Sequence, residues 1–242
     1  IMSNNLKMFL GLAYLLLLFS FLYFIFSVIE IGRLNDFTYY KELQSDLNTY
    51  ISSNIFTNLI YFFIFAIIWV TLLGFGSPIL IISGILFGQM IGTVVSVISI
   101  SIGALILYSI GNFFFRDLVK SILEKKFEKY IQLFKKNEFF YFFVYRFIGG
   151  LGVPFGLQNL IPILFGMKKL NYFLASLFGF IPGFFIINTI GAGLNTYVTE
   201  ADYFSMIDFI LTPEIYVPIL MFSFLMLCSL IIKKKFFDDT NK

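Results

Sequence analysis

From Leu47 through Phe115 the chain carries no Asp, Glu, Lys or Arg, and the same holds for Phe147–Met167 and Leu170–Thr199. About a quarter of the residues in a soluble domain are charged. Here 13% are charged, 59% are hydrophobic and 35 are phenylalanine. Lipid offers an exposed peptide group no hydrogen-bond partner, so apolar stretches of this length fold as helices. A helix needs about 20 apolar residues to cross a bilayer. Five segments qualify: Met8–Ile29, Ile55–Leu73, Thr93–Phe115, Leu170–Ile190 and Ile215–Ile232. Met8–Ile29 is longer than a signal-peptide core and lacks a small-residue cleavage site, so it is expected to stay in the chain. The expected class is an all-α integral membrane protein with about five transmembrane helices.

Two apolar pieces are too broken to cross. One is "GSPILIISGILFGQMIG", residues 76–92, and the other runs through "GGLGVPFGLQNLIPILFG", residues 149–166. Glycine allows unusual dihedrals and proline ends helices. Non-helical backbone at membrane depth survives only against protein or a water-filled cavity. Two re-entrant helical hairpins are therefore expected, over 76–92 and 139–167. Pro78, Gly84 and Gly88 would shape the first; Gly149, Gly150, Gly152, Pro154 and Gly166 would shape the second. Pro182 predicts a kink in the helix that follows. Both pieces hold a proline, end in "ILFG" and precede an apolar helix with an internal glycine, Gly103 or Gly179. The shared order points to a duplication. Counting crossings makes the halves an inverted repeat, an arrangement that holds the substrate site of many transporters.

Three regions follow. Residues 1–54 form an N-terminal transmembrane helix and an extramembrane segment, 55–194 the membrane domain, and 195–242 a C-terminal transmembrane helix with a basic tail. Within 116–138, apolar residues at helical spacing oppose Lys120, Lys125, Lys129, Lys135 and Lys136. This predicts an amphipathic helix, lying either in the membrane interface or against the protein's own edge. By the positive-inside rule this linker and the Lys233–Lys235 tail are expected to be cytoplasmic, in a bacterial inner (plasma) membrane.

Few residues are left for chemistry. The chain has no histidine and one cysteine, Cys228, so no internal disulfide, Ser-His pair or Cys-His pair is available. No catalytic residue, metal ligand or cofactor is expected, and an enzyme is the least supported reading. The net charge of +3, clustered in the linker and tail, suits lipid headgroups rather than nucleic acid. Arg146 is the sharpest feature, an arginine inside "FFYFFVYRFIGG". Such a residue faces a bundle interior or a cavity, or snorkels to the surface, which a helix rise of about 12 Å from Glu138 would allow. Gln158 and Asn159 can satisfy broken backbone or contact a ligand. With Arg146 they are the candidate substrate-binding residues.

"SPILIISGILFGQMIG", "FVYRFIGGLGVPFGLQNLIPILFGMKKLNYF" and "GFIPGFFIINTIGAGL" together resemble the VTT-domain proteins, also called SNARE-associated Golgi proteins, of the DedA superfamily. The likeness covers about Ser77–Leu194. It implies two facing re-entrant loops and a link to lipid translocation, either phospholipid scrambling or carrier-lipid flipping. Arg146 takes the "FxxxR" place; Pro154 and Asn159 take second-hairpin positions. The DedA branch proper has acidic residues near its first hairpin, where this chain has Phe75-Gly76-Ser77. That departure favours the Tvp/Tmem-type branch and disfavours proton coupling. The expected function is lipid flipping or scrambling, with an anionic or phosphate-headed membrane lipid as substrate, through a hydrated crevice at Arg146. The alternatives are a non-transporting membrane-organising protein and a small-solute or ion transporter. Self-association of the chain stays open at this point.

Overall fold

The computed structural model describes residues 4–28, 36–123, 128–201, 203 and 205–233. Its regular elements are α1 (Asn4–Val28), α2 (Phe37–Ser53), α3 (Ile55–Leu73), α4 (Ser77–Leu123), α5 (Glu128–Lys136) and α6 (Glu138–Phe147). A short 3₁₀ turn follows at Gly149–Gly152. Then come α7 (Phe155–Leu160), α8 (Pro162–Phe165), α9 (Lys169–Gly179), α10 (Ile181–Glu200), α11 (Met206–Leu211) and α12 (Pro213–Lys233). Among the described residues, α1, α3 and α4 are long and apolar enough to cross a membrane. The pair α9–α10, bent by 46° where Pro182 sits, makes a fourth. The fifth expected span lies in α12, of which Pro213–Phe224 counts only as a shorter apolar helix. The basic tail from Lys234 onward lies outside the described residues.

Phenylalanine, leucine and isoleucine cover the outside. Phe9, Leu16, Phe19, Phe56, Tyr61, Val94 and Leu220 are each more than 60% exposed. A water-soluble surface rarely shows apolar patches beyond a few hundred Å². This surface is suited to hydrocarbon.

The first half of the domain folds as a zigzag of three passes. α3 ends at Gly74, whose N–H caps the Val70 carbonyl, and the chain reverses over residues 74–76. The first part of α4, residues 77–87, returns antiparallel to α3, so the Phe62 and Phe87 rings meet with centroids 5.3 Å apart. At Gly88, φ 71° and ψ 177° break the helix. The chain reverses again, and residues 89–123 run back along the returning arm. Ser83 Oγ donates to the Gly92 carbonyl at 2.9 Å, a contact that a straight helix would hold more than 13 Å apart at 1.5 Å rise per residue. The expected hairpin at 76–92 thus takes the form of the second reversal. A tighter one, at 74–76, precedes it.

The second half repeats this path. α6 rises, the glycine-rich turn reverses it, and α7–α8 return. Gly166 then closes the arm, and α9–α10 make the long pass. Both "ILFG" segments sit at the same point of the path, each glycine ending a returning arm. Gly103 lies against Val70 of the first arm in one half. Gly179 lies against Arg146 of the first arm in the other. The halves point at each other: Gly74 and Gly76 of the first turn touch Gly156 and Phe155 of the second. Along α4 the neighbours pass from the first hairpin to the second, where Gly111 meets Leu160 and Ile163. Along α10 they pass the other way, where Gly191 meets Ile81 and Gly84. The fold is an inverted repeat whose two long passes lie side by side.

The two repeat glycines are not interchangeable. Gly166 sits at φ 60°, ψ 40°, the left-handed region that asparagine tolerates. Gly88 occupies a region essentially restricted to glycine. Gly166→Asn is expected to change stability by less than about 0.5 kcal/mol, and Gly88→Asn to cost about 1–3 kcal/mol. Thermal unfolding in detergent separates the two.

The broken backbone is served from α1. Tyr14 Oη donates to the Leu72 carbonyl at 2.9 Å and to the Thr71 carbonyl at 3.2 Å. These are orphan acceptors at the end of α3. Tyr14→Phe is expected to cost about 1 kcal/mol, read as a lower midpoint of unfolding. α2 is tied to α10 by Gln44 Nε2, which donates to the Asn195 carbonyl at 2.7 Å and to Thr199 Oγ1 at 2.6 Å.

The described parts of the linker are helical: α4 runs on through Arg116 to Leu123, residues 124–127 lie outside the described residues, and α5 covers Glu128–Lys136. Nothing in Arg116-Asp117-Leu118 stops a helix, so charge alone does not mark its end. The apolar face of α5 packs on the protein itself. Ile131 is buried, and Phe134 stacks on Phe165 with centroids 4.3 Å apart.

Candidate functional site

Arg146 lies in the last turn of α6, on the face that meets α9. Its side chain is only 3% exposed. Nη1 donates to Gln158 Oε1 at 3.0 Å. Nη2 donates to Asn159 Oδ1 at 2.5 Å and to Tyr172 Oη at 3.0 Å. Every acceptor is an uncharged oxygen. Four rings enclose the guanidinium: its Cζ lies 4.7 Å from the Phe142 and Phe180 centroids, 5.5 Å from Phe155 and 5.7 Å from Tyr172. A desolvated cation over an aromatic face gains roughly 2 kcal/mol or more. Oxygen dipoles and ring quadrupoles replace the hydration shell.

The sequence builds this locally. The i, i+4 spacing of Phe142 and Arg146 stacks them on one face of α6. Pro154 is the N-cap residue of α7, which starts the returning arm just early enough to present Gln158 and Asn159 together. Gln158 works twice. Its oxygen takes Arg146, and its Nε2 donates to the Gly149 and Val153 carbonyls at 3.3 and 2.6 Å. The glycine-rich turn is thereby satisfied by the same residue that holds the cation. Tyr172 is fixed from behind by Tyr108, whose ring stacks on it at 4.5 Å. Tyr108 Oη donates to the Met167 carbonyl at 2.6 Å.

Two donors of the cluster stay buried without a partner among the described residues, Arg146 Nε and Asn159 Nδ2. Buried polar atoms normally find a partner. The unused capacity here is for donating, which suits a ligand rich in acceptor oxygens.

The candidate binding residues Arg146, Gln158 and Asn159 therefore meet at one point. The shaping residues spread along the path. Gly149, Gly150 and Gly152 form the second turn with φ of 74°, 72° and 78°, and Pro154 follows it. Gly166 ends the arm, Pro182 sits at the α9–α10 bend, Pro78 opens α4, and Gly84 and Gly88 lie in and after the first returning arm. No hydrated crevice surrounds Arg146 in this conformation; the rings and the turn enclose it. Tyr172, Phe180 and Tyr108 were not legible as site residues. The one available signal was a tyrosine hydroxyl in each of two largely apolar helical segments.

Paired, inverted helical hairpins flanked by long apolar helices define an integral membrane protein, with one fixed positive charge sealed where the second hairpin meets its long pass. The model of the VTT domain matches residues 70–193, and the chain belongs to that family. The match begins at Val70 and ends at Gly193, so it runs from the end of α3 through both returning arms, the Arg146 cluster and most of α10. Searches of curated proteins and of solved structures find no match to this chain.

Proposed function

We propose that the protein moves a phosphate-headed lipid between the leaflets of its membrane. The two hairpins are re-entrant, and a headgroup passes between their tips. The observation that carries this reading is the arginine held by neutral oxygens alone, with donors to spare. A phosphate oxygen can exchange for the amide and phenol oxygens of Gln158, Asn159 and Tyr172, and it adds the charge they lack. The present arrangement is the closed one, so translocation requires the glycine-rich turn to swing off Gln158. The absence of Asp, Glu and His from the uncharged stretches supports an uncoupled, scrambling mode and a relation to the Tvp/Tmem-type branch. The lysines of α5 support a cytoplasmic position for it, and the location proposed is a bacterial inner membrane.

The test uses purified protein in vesicles with a fluorescent lipid. The native chain should accelerate bleaching of inner-leaflet label by dithionite, and Arg146→Met should return the rate to that of empty vesicles. Equal rates for native and protein-free vesicles, over a panel of anionic and zwitterionic lipids, defeat the proposal.

The enclosure of Arg146 favours a second reading, a membrane-organising protein whose hairpins never open. A cysteine at Phe180, which is buried against the guanidinium, in a Cys228→Ser background separates the two. Labelling by a membrane-impermeant thiol reagent supports opening, and full protection over hours supports the static reading.

A further inference from the structure

The base of the second hairpin carries a cavity of about 510 Å³ lined by Lys135, Lys136, Glu138, Phe139, Phe165 and Lys168, with Asn171 at its wall. It is separate from the Arg146 cluster, none of whose members lines it. The one carboxylate is already engaged: Glu138 accepts from the Lys168 backbone N–H, at 3.3 Å to each oxygen, and from Asn171 Nδ2. It acts as a latch between α6 and the start of α9. The three ammonium groups have no carboxylate partner among the described residues. They give the cavity an excess of positive charge.

Its height in the fold is also informative. Uncharged sequence begins at its edge, over Phe139–Tyr145 on α6 and from Leu170 on α9. Phe140 and Leu170 beside it are 52% and 67% exposed. The cavity therefore straddles the boundary between charged and apolar surface, with lysines on one side and the Phe139 and Phe165 rings on the other. A site for a free ion has no use for an apolar wall. A lipid presents both chemistries at that height.

We propose that this cavity binds the phosphate group of an anionic membrane lipid, as a surface site distinct from Arg146. Lys135, Lys136 and Lys168 supply the charge, and Phe139 and Phe165 supply the seat for the first acyl carbons. The inference needs only that the domain sits in a membrane; it holds whether or not the protein translocates lipid.

Equilibrium binding to the full chain in detergent tests it. The probes are dioctanoyl phosphatidic acid, dioctanoyl phosphatidylcholine and inorganic phosphate. Phosphatidic acid should bind, with the other two at least about tenfold weaker. Lys135→Gln/Lys136→Gln/Lys168→Gln should weaken it about tenfold or more, as expected for lysines at a headgroup. Lys41→Gln, which removes a half-buried charge on α2 that does not line the cavity, should leave it unchanged. Three results each overturn the proposal: equal affinity in the triple variant, inorganic phosphate as tight as phosphatidic acid, or phosphatidylcholine as tight as phosphatidic acid. Because the readout is binding, its failure leaves the vesicle assay standing, and the reverse also holds.

Discussion

Asn159→Leu is expected to lower the unfolding free energy by about 3–5 kcal/mol, whereas Arg146→Met leaves stability unchanged or raises it. The asymmetry follows from burial. Asn159 Oδ1 accepts from Arg146 Nη2, and both residues are enclosed. Removing the oxygen strands a cation in a ring-lined space with less to replace its hydration. Removing the cation leaves neutral amides and a phenol that can bond to one another, as Tyr172 Oη already does to Asn159 Oδ1 at 3.2 Å. The double variant should recover most of the Asn159→Leu loss. Unfolding in detergent, read as a double-mutant cycle, measures the coupling. A cycle in which Asn159→Leu costs as much beside methionine as beside arginine removes the basis for this account. The functional readout runs opposite: Arg146→Met, the stable variant, is the one expected to lose translocation.

The second large effect is at the contact between halves. Gly191 of α10 lies so close to the first returning arm that an added β-carbon would stand 2.3 Å from the Ile81 carbonyl oxygen and 3.0 Å from Gly84 Cα. Backbone cannot yield as a side chain can. Gly191→Ala is expected to cost about 2–3 kcal/mol, although alanine ordinarily favours a helix by about 1 kcal/mol over glycine. Gly183, on the same helix, has nothing within 4 Å of such a carbon. Gly183→Ala should therefore show the ordinary gain. Opposite signs at two glycines of one helix are the result to look for in paired melting curves.

Hydropathy carried the helical class, because uncharged runs near bilayer length have few other solutions. The duplicated "ILFG" and the isolated Arg146 carried the repeat and the centre of the site. Partnership was harder to see. Arg146's acceptors lie 12, 13 and 26 residues away, across a turn and on a third helix, and no local period encodes such distances. Tyr172 looked like one more aromatic in a phenylalanine-rich chain. The reversal at 74–76 is equally silent in the sequence, because Gly74-Phe75-Gly76 is short and apolar and leaves no polar signature. Apolar spacing opposed by lysines predicts an amphipathic helix over 116–138, yet its first residues extend α4. The enclosure of Arg146 is hidden for a related reason: composition reveals that a cation is present, not that four rings close over it.

The pairing of Gly103 with Val70 and of Gly179 with Arg146 has an electrical consequence. Two halves of one scaffold occupy mirrored stations, yet only one carries charge at that station. Were the halves alike, a rearrangement that exchanged their roles would be indifferent to the voltage across the bilayer. A lone cation makes it a gauge. Carrying one elementary charge through the full field changes the free energy by about 2.3 kcal/mol per 100 mV. Any movement of the second hairpin along the membrane normal would be biased in proportion to the fraction of the field that Arg146 crosses.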